Sequence, residues 1–90
     1  MYSIELSVKA QEFLNKLDKE SKERIEKRLK NLENNPIPSD SRFIGRENNE
    51  KIFRYRIGNF RALYKIKETQ NKDLITKIDK RDKVYERICV

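Results

Sequence analysis

The sequence predicts an α+β fold: an N-terminal strand, a two-helix hairpin, then an antiparallel sheet of three to four hairpin-linked strands. Three observations carry this. Apolar residues recur at helical spacing from Ala10 to Leu32. Past Pro36 and Pro38 the period changes from helical to alternating. Two alternating runs, 52–57 and 60–67, are separated only by Gly58-Asn59, a dipeptide type that marks a tight hairpin. Strand, helices and then a run of linked strands is an α+β order.

Each element has a local reason. Tyr2, Ile4 and Leu6 alternate with Ser3 and Glu5, as in a short half-buried strand. Ser7 stands at an N-cap position before Ala10, Phe13, Leu14 and Leu17. Asp18 caps a second helical segment, 19–34, with Ile25, Leu29 and Leu32 on its apolar stripe. Its other faces are charged, with Glu20–Arg24, Glu23–Lys27 and Glu26–Lys30 in the favourable i,i+4 order. Lys22, Arg24, Lys27, Arg28 and Lys30 cluster there, either as a solvated face or as a contact for an anionic partner. Pro36 and Pro38 end the helical part. A short strand is expected over 42–46, a turn at Asn48-Asn49, another turn at 70–72, a last strand over 74–80 and a tail from 82.

Composition narrows the function classes. Ninety residues make one small domain, 1–90. The chain has 22 Lys+Arg against 15 Asp+Glu, a net charge of +7, so an anionic partner is expected. It has no histidine, which excludes Ser-His and Cys-His pairs, two-histidine ribonuclease sites and the usual zinc sites. The carboxylates form no metal-binding cluster, and neither metal nor small-molecule cofactor is expected. The single cysteine, Cys89, leaves no internal disulfide framework and suggests a reducing, cytoplasmic setting. No apolar run approaches a membrane span, and the first residues do not read as a signal peptide.

The central hairpin carries the chemistry. A two-residue turn places Ile57 opposite Phe60, Arg56 opposite Arg61, Tyr55 opposite Ala62, Arg54 opposite Leu63 and Phe53 opposite Tyr64. One face is then Phe53, Tyr55, Ile57, Phe60, Ala62, Tyr64 and Ile66, and should receive the helices. The other carries Arg54, Arg56, Arg61 and Lys65. Two like charges about 5 Å apart repel by about 1 kcal/mol even in water, and nothing in the hairpin itself offsets Arg56 against Arg61. Arginines can splay into solvent, but an anion between the guanidinium groups, phosphate above all, resolves the repulsion directly. In the last strand Leu74, Thr76 and Ile78 mark one face and Ile75, Lys77, Asp79 and Arg81 the other. Beside strand 60–67, Lys77 and Arg81 would extend the basic face, and Tyr85 follows four residues on. Such a face suits single-stranded RNA.

At these residues the chain resembles a known family. The run from Phe53 to Tyr64 (FRYRIGNFRALY) looks like the central hairpin of the RelE/ParE superfamily of toxins from type II toxin–antitoxin systems. The run from Ile78 to Tyr85 (IDKRDKVY) resembles that superfamily's closing motif, and the RelE branch is the nearer match. The resemblance covers almost the whole chain. It implies a RelE-like, microbial ribonuclease-type fold and a small RelB-like helical antitoxin as partner. It also implies the ribosome and mRNA as targets, with cleavage of message in the A site. ParE-type members instead inhibit DNA gyrase. Carried over, Arg61 steadies the scissile phosphate, Arg81 stabilises charge or assists the leaving group, and Tyr85 acts as general base or stacks the substrate. Arg54 and Arg56 contact the RNA backbone, and Lys65, Lys77 and Lys80 complete the RNA-binding set. The resemblance thus points to metal-independent 2′-OH transesterification. A ParE-like gyrase inhibitor and an inactive RNA-binding domain remain the alternatives.

Overall fold

A computed structural model of the chain describes residues 2–81. β1 (Ser3–Leu6), α1 (Val8–Asn15), α2 (Lys19–Leu29) and a 3-10 turn (Lys30–Glu33) precede β2 (Ser41–Glu47), β3 (Glu50–Ile57), β4 (Phe60–Lys67) and β5 (Lys72–Lys80). Both expected caps form. The Ser7 hydroxyl accepts from the Ala10 N–H at 3.1 Å and the Asp18 carboxylate from the Ser21 N–H at 3.0 Å, each contact being worth about 1 kcal/mol. Hydrogen bonding from Ser21, first from its side chain and then from its backbone N–H, holds the Asp18 carboxyl below its ordinary range. The 3-10 turn closes the second helical segment before the prolines.

The strands form one sheet in the order β1-β5-β4-β3-β2. β2 to β5 are antiparallel and linked in sequence, while β1 joins β5 in parallel. The four hairpin-linked strands are antiparallel as expected, and β1, separated from β5 by the helices and three strands, adds to the sheet edge in parallel, which makes the sheet mixed. Asn48 and Asn49 both take positive φ, 52° and 68°, as a two-residue hairpin loop demands. Gly58 does the same at the β3–β4 turn, with φ 57°.

The helices cover one face of the sheet only. Ala10, Leu14, Ile25, Leu29 and Leu32 pack on Phe53, Tyr55, Ile57, Ala62, Tyr64, Ile75 and Ile78. The register of β3 against β4 runs from Phe53↔Tyr64 to Ile57↔Phe60, as the two-residue turn predicts. β5 departs from simple alternation. Its pairing with β4 shifts between Leu63↔Lys77 and Tyr64↔Ile75, leaving Thr76 as an extra residue. Ile75 thus joins Ile78 in the core, contrary to the expected split, and Leu74 lies opposite Lys65 on the other face. The bulge is held locally: the Thr76 hydroxyl donates to the Leu63 carbonyl at 3.2 Å, and the Ser7 hydroxyl donates to the Thr76 carbonyl at 2.8 Å.

The same shift puts Asp73 on the helix side, opposite Ile66 and beside Ile4. It is fully buried, and neither carboxyl oxygen has a hydrogen-bond partner among the described residues. Burial pushes its pKa up to about 6. Tyr64 is pushed up to about 12 by burial first and by the Asp73 charge among lesser causes. Its hydroxyl donates to the Pro36 carbonyl at 2.7 Å.

Candidate nucleic-acid interface

The face turned away from the helices is organised in rows across the strands. One row is Arg56, Arg61 and Asp79; the next is Arg42, Arg54, Leu63 and Lys77. Ile44, Ile52 and Leu63 form a small apolar patch beside them. The described helices pack on the other side, so this face presents cations around a modest apolar floor.

The Arg56–Arg61 opposition is real, and it is relieved in three ways the hairpin alone does not show. Arg61 is buried, and its Nη1 donates to the Gly58 and Phe60 carbonyls at 2.7 and 2.8 Å. Those carbonyls fix the guanidinium over the turn. Asp79 stands opposite Arg61 from the β5 side. Asp40, in the loop before β2, pairs with Arg56 at 3.5 Å and with Arg28 of α2 at 2.9 Å. Arg28 also donates to the Arg56 carbonyl at 3.1 Å and sits 5.2 Å from the Tyr55 ring centroid. Its pKa is raised, first by the Tyr55 hydroxyl hydrogen bond. Helix, loop and β3 are thereby clamped together at the hairpin, with Arg56 still largely exposed.

Other expected site residues fall differently. Arg54 is half-buried between Arg42 and Leu63, and Lys77 lies at the β5 end of the same row. Lys65 does not offer its charge to a ligand. It is buried, and its ammonium meets Glu47 at 3.1 Å and Glu50 at 3.3 Å. Glu50 also pairs with Lys67. The two acids come from the β2–β3 hairpin ends, so a residue read as RNA-binding is an internal ion-pair anchor. Lys80 is also displaced from the basic face: it lies opposite Phe60, on the helix side. Arg81 is at the hairpin tip, where its N–H donates to the Asn59 carbonyl at 2.9 Å. Arg81 and Lys80 line a groove with Ser21, Arg24, Asn59 and Phe60. Tyr85 and the tail from 82 onward lie outside the described residues.

Arg42 is the residue sequence reasoning missed. It is exposed and directly opposite Arg54. Counting back from the Asn48-Asn49 turn would place Arg42 opposite Tyr55. A bulge between Phe43 and Gly45 shifts it by one, and Gly45 lies at φ 156° there.

The family model for the ParE toxin of type II toxin–antitoxin systems (parDE) matches residues 4–85. The chain therefore belongs to the ParE toxin family, within the RelE/ParE superfamily, and is the toxin of a type II toxin–antitoxin system. Solved structures show the same fold. The archaeal RelE–RelB complex from Pyrococcus horikoshii is similar at 21% identity and TM-score 0.78, over 92% of this chain and 98% of that one. The RelBE2 toxin–antitoxin complex of Mycobacterium tuberculosis is similar at 23% identity and TM-score 0.76, over 89% and 98%. Isolated Escherichia coli RelE matches at 16% identity and TM-score 0.70, over 89% and 84%. No curated protein matches by sequence.

Proposed function

We propose that this toxin is a ribosome-dependent endoribonuclease that cleaves mRNA in the A site and stops translation in the cytoplasm. The observation that carries the reading is the cationic sheet face, where Arg42, Arg54, Arg56, Arg61 and Lys77 occupy two adjacent rows. Guanidinium groups in that arrangement match a phosphodiester chain, which Arg recognises bidentately.

In the proposed reaction the substrate's 2′-oxygen loses its proton to a base and attacks the adjacent phosphorus. The P–O5′ bond breaks, a 2′,3′-cyclic phosphate forms, and the 5′-oxygen takes up a proton. Arg61, held over the turn by two carbonyls, stabilises the added charge on the phosphoryl oxygens, with Arg81 at the strand end. Tyr85 is the base in this scheme. A tyrosine titrating near 10 in water serves only where cations favour the phenolate. Arginine above 12 is a poor acid. Free RNA should therefore be cut slowly, with the ribosome supplying substrate geometry. A small helical RelB-like antitoxin is the proposed partner, a reading supported by structural neighbours solved as RelE–RelB and RelBE2 toxin–antitoxin complexes.

The family match favours a second reading, a ParE-like inhibitor of DNA gyrase that cuts no RNA. One experiment separates the two. Purified protein or its Arg81→Ala form is added to a coupled translation reaction, and message ends are mapped by primer extension. New ends inside translated codons, absent with Arg81→Ala and from ribosome-free RNA, are expected. Intact message together with accumulating cleaved DNA–gyrase complexes would select the second reading.

A further inference from the structure

The basic residues that leave the sheet face, Lys80 and Arg81, do not scatter. With Arg24 of α2 they line a groove of about 500 Å³ at the hairpin tip, on the helix side. That is within the size range of small-ligand sites. The other lining residues are Ser21, Asn59 and Phe60, a hydroxyl, an amide and an aromatic ring. The groove is held from both sides. Arg28 ties α2 to the Arg56 carbonyl, and the Arg81 N–H is bound to Asn59. The Phe60 ring is set edge-on to Phe13, with centroids 6.0 Å apart. Among the described residues, none that lines the groove is acidic. Glu20 lies 3.8 Å from Arg24 on an exposed helix turn, a contact water and salt readily loosen.

We propose that this groove is a second RNA subsite. It takes one nucleotide of a single strand that rounds the hairpin tip from the Arg56–Arg61 face, with its phosphate between Arg24 and Lys80 and its base against Phe60. One cation from α2 and one from β5 offset the phosphate charge, and an aromatic floor accepts any base, while Arg81 stays with the scissile phosphate at the junction of the two sites. The proposal rests on the RNA-directed reading above, but its binding step needs neither ribosome nor cleavage. It assigns a role to Arg24, which lies far in sequence from both hairpin and closing motif.

The test is ribosome-free binding of a short labelled oligouridylate by the purified full chain, followed by fluorescence anisotropy across a salt series. Arg24→Gln is compared with Lys30→Gln, an equal charge change at the other end of the helical segment. Arg24→Gln should weaken binding about five- to tenfold and lower the salt slope by about 0.7, the value for one lost single-strand phosphate contact. Lys30→Gln should stay within about twofold. Uridine 5′-monophosphate should also shift the Ser21 and Asn59 NMR amide signals. Equal losses from both variants would reduce the effect to overall charge and overturn the subsite, as would unchanged binding by Arg24→Gln or no binding by the parent protein. Arg24-dependent binding without cleavage in translation reactions would leave the subsite standing and remove the nuclease reading. Cleavage with Arg24-independent binding would do the reverse.

Discussion

The two faces of the β3–β4 hairpin are built from alternate residues of the same segment, 50–67, yet they obey opposite rules. Phe53, Tyr55, Ile57, Ala62 and Tyr64 are buried against the helices, and Phe53 stacks on Tyr64 with centroids 5.6 Å apart. Arg54, Arg56 and Arg61 alternate with them and face the other way. The first face minimises its own free energy. The second keeps like charges opposed and then recruits distant groups, Asp40, Asp79 and turn carbonyls, to hold them. A packed apolar face and a cationic face whose charges are only partly offset from within are how a small domain separates folding from function.

The largest loss is expected on the helix side. Tyr64→Ala removes a fully buried ring and its hydrogen bond to Pro36, and should cost about 3–5 kcal/mol by urea denaturation. A loss below 1 kcal/mol would mean the packed face is less continuous than described.

Asp73 is the exception on that face, and it titrates. Its pKa is about 6 folded against about 3.9 unfolded, so the folded state holds its proton more tightly. This contribution to stability is complete below about pH 4 and is lost as pH rises through 6. Asp73→Asn should therefore match the parent near pH 4 and exceed it at pH 8 by roughly 1–3 kcal/mol, the upper figure being the full linkage term. Parallel stability curves for the two proteins from pH 4 to 8 would contradict the buried, unpartnered carboxyl.

Lys65 sharpens the comparison on the other face. Its two carboxylate partners make it structural, so Lys65→Met should leave oligouridylate affinity within about twofold. It should lower stability by about 1 kcal/mol, because Glu47 loses its cation and Glu50 keeps only Lys67. A tenfold loss of affinity would return Lys65 to the RNA-binding set. Ser7→Ala is a local perturbation of similar size, about 1 kcal/mol from the α1 cap, with the contact to the Thr76 carbonyl lost as well. It should leave RNA affinity unchanged.

What the sequence makes legible follows from how local each determinant is. The β3–β4 register, both N-caps and the helix-covered face depend on turn length, cap chemistry and period, all contained in short segments. The bulge at Thr76 has no such signature, and it alone moves Ile75 into the core and Asp73 beneath the helices. The bulge at Phe43–Gly45 likewise decides that Arg42 meets Arg54. Lys65 looked like its arginine neighbours because the alternation is the same. Its neutralisation depends on Glu47 and Glu50 arriving from the adjoining hairpin. Alternation with Lys77 and Asp79 assigns Arg81 to the face, and charge alone assigns Lys80, whereas Lys80 pairs opposite Phe60 and Arg81 binds Asn59 at the hairpin tip.

The division of labour between the faces is tested most directly by Arg56→Ala, measured for stability and for RNA affinity in the same buffer. Arg56 is exposed, opposes Arg61, and shares Asp40 with Arg28. Stability should stay within about 0.5 kcal/mol of the parent, as for an exposed ion-pair residue, while oligouridylate affinity falls about tenfold. A protein that loses more than about 1 kcal/mol yet binds RNA as before would show that the arginine face serves the fold and not the ligand.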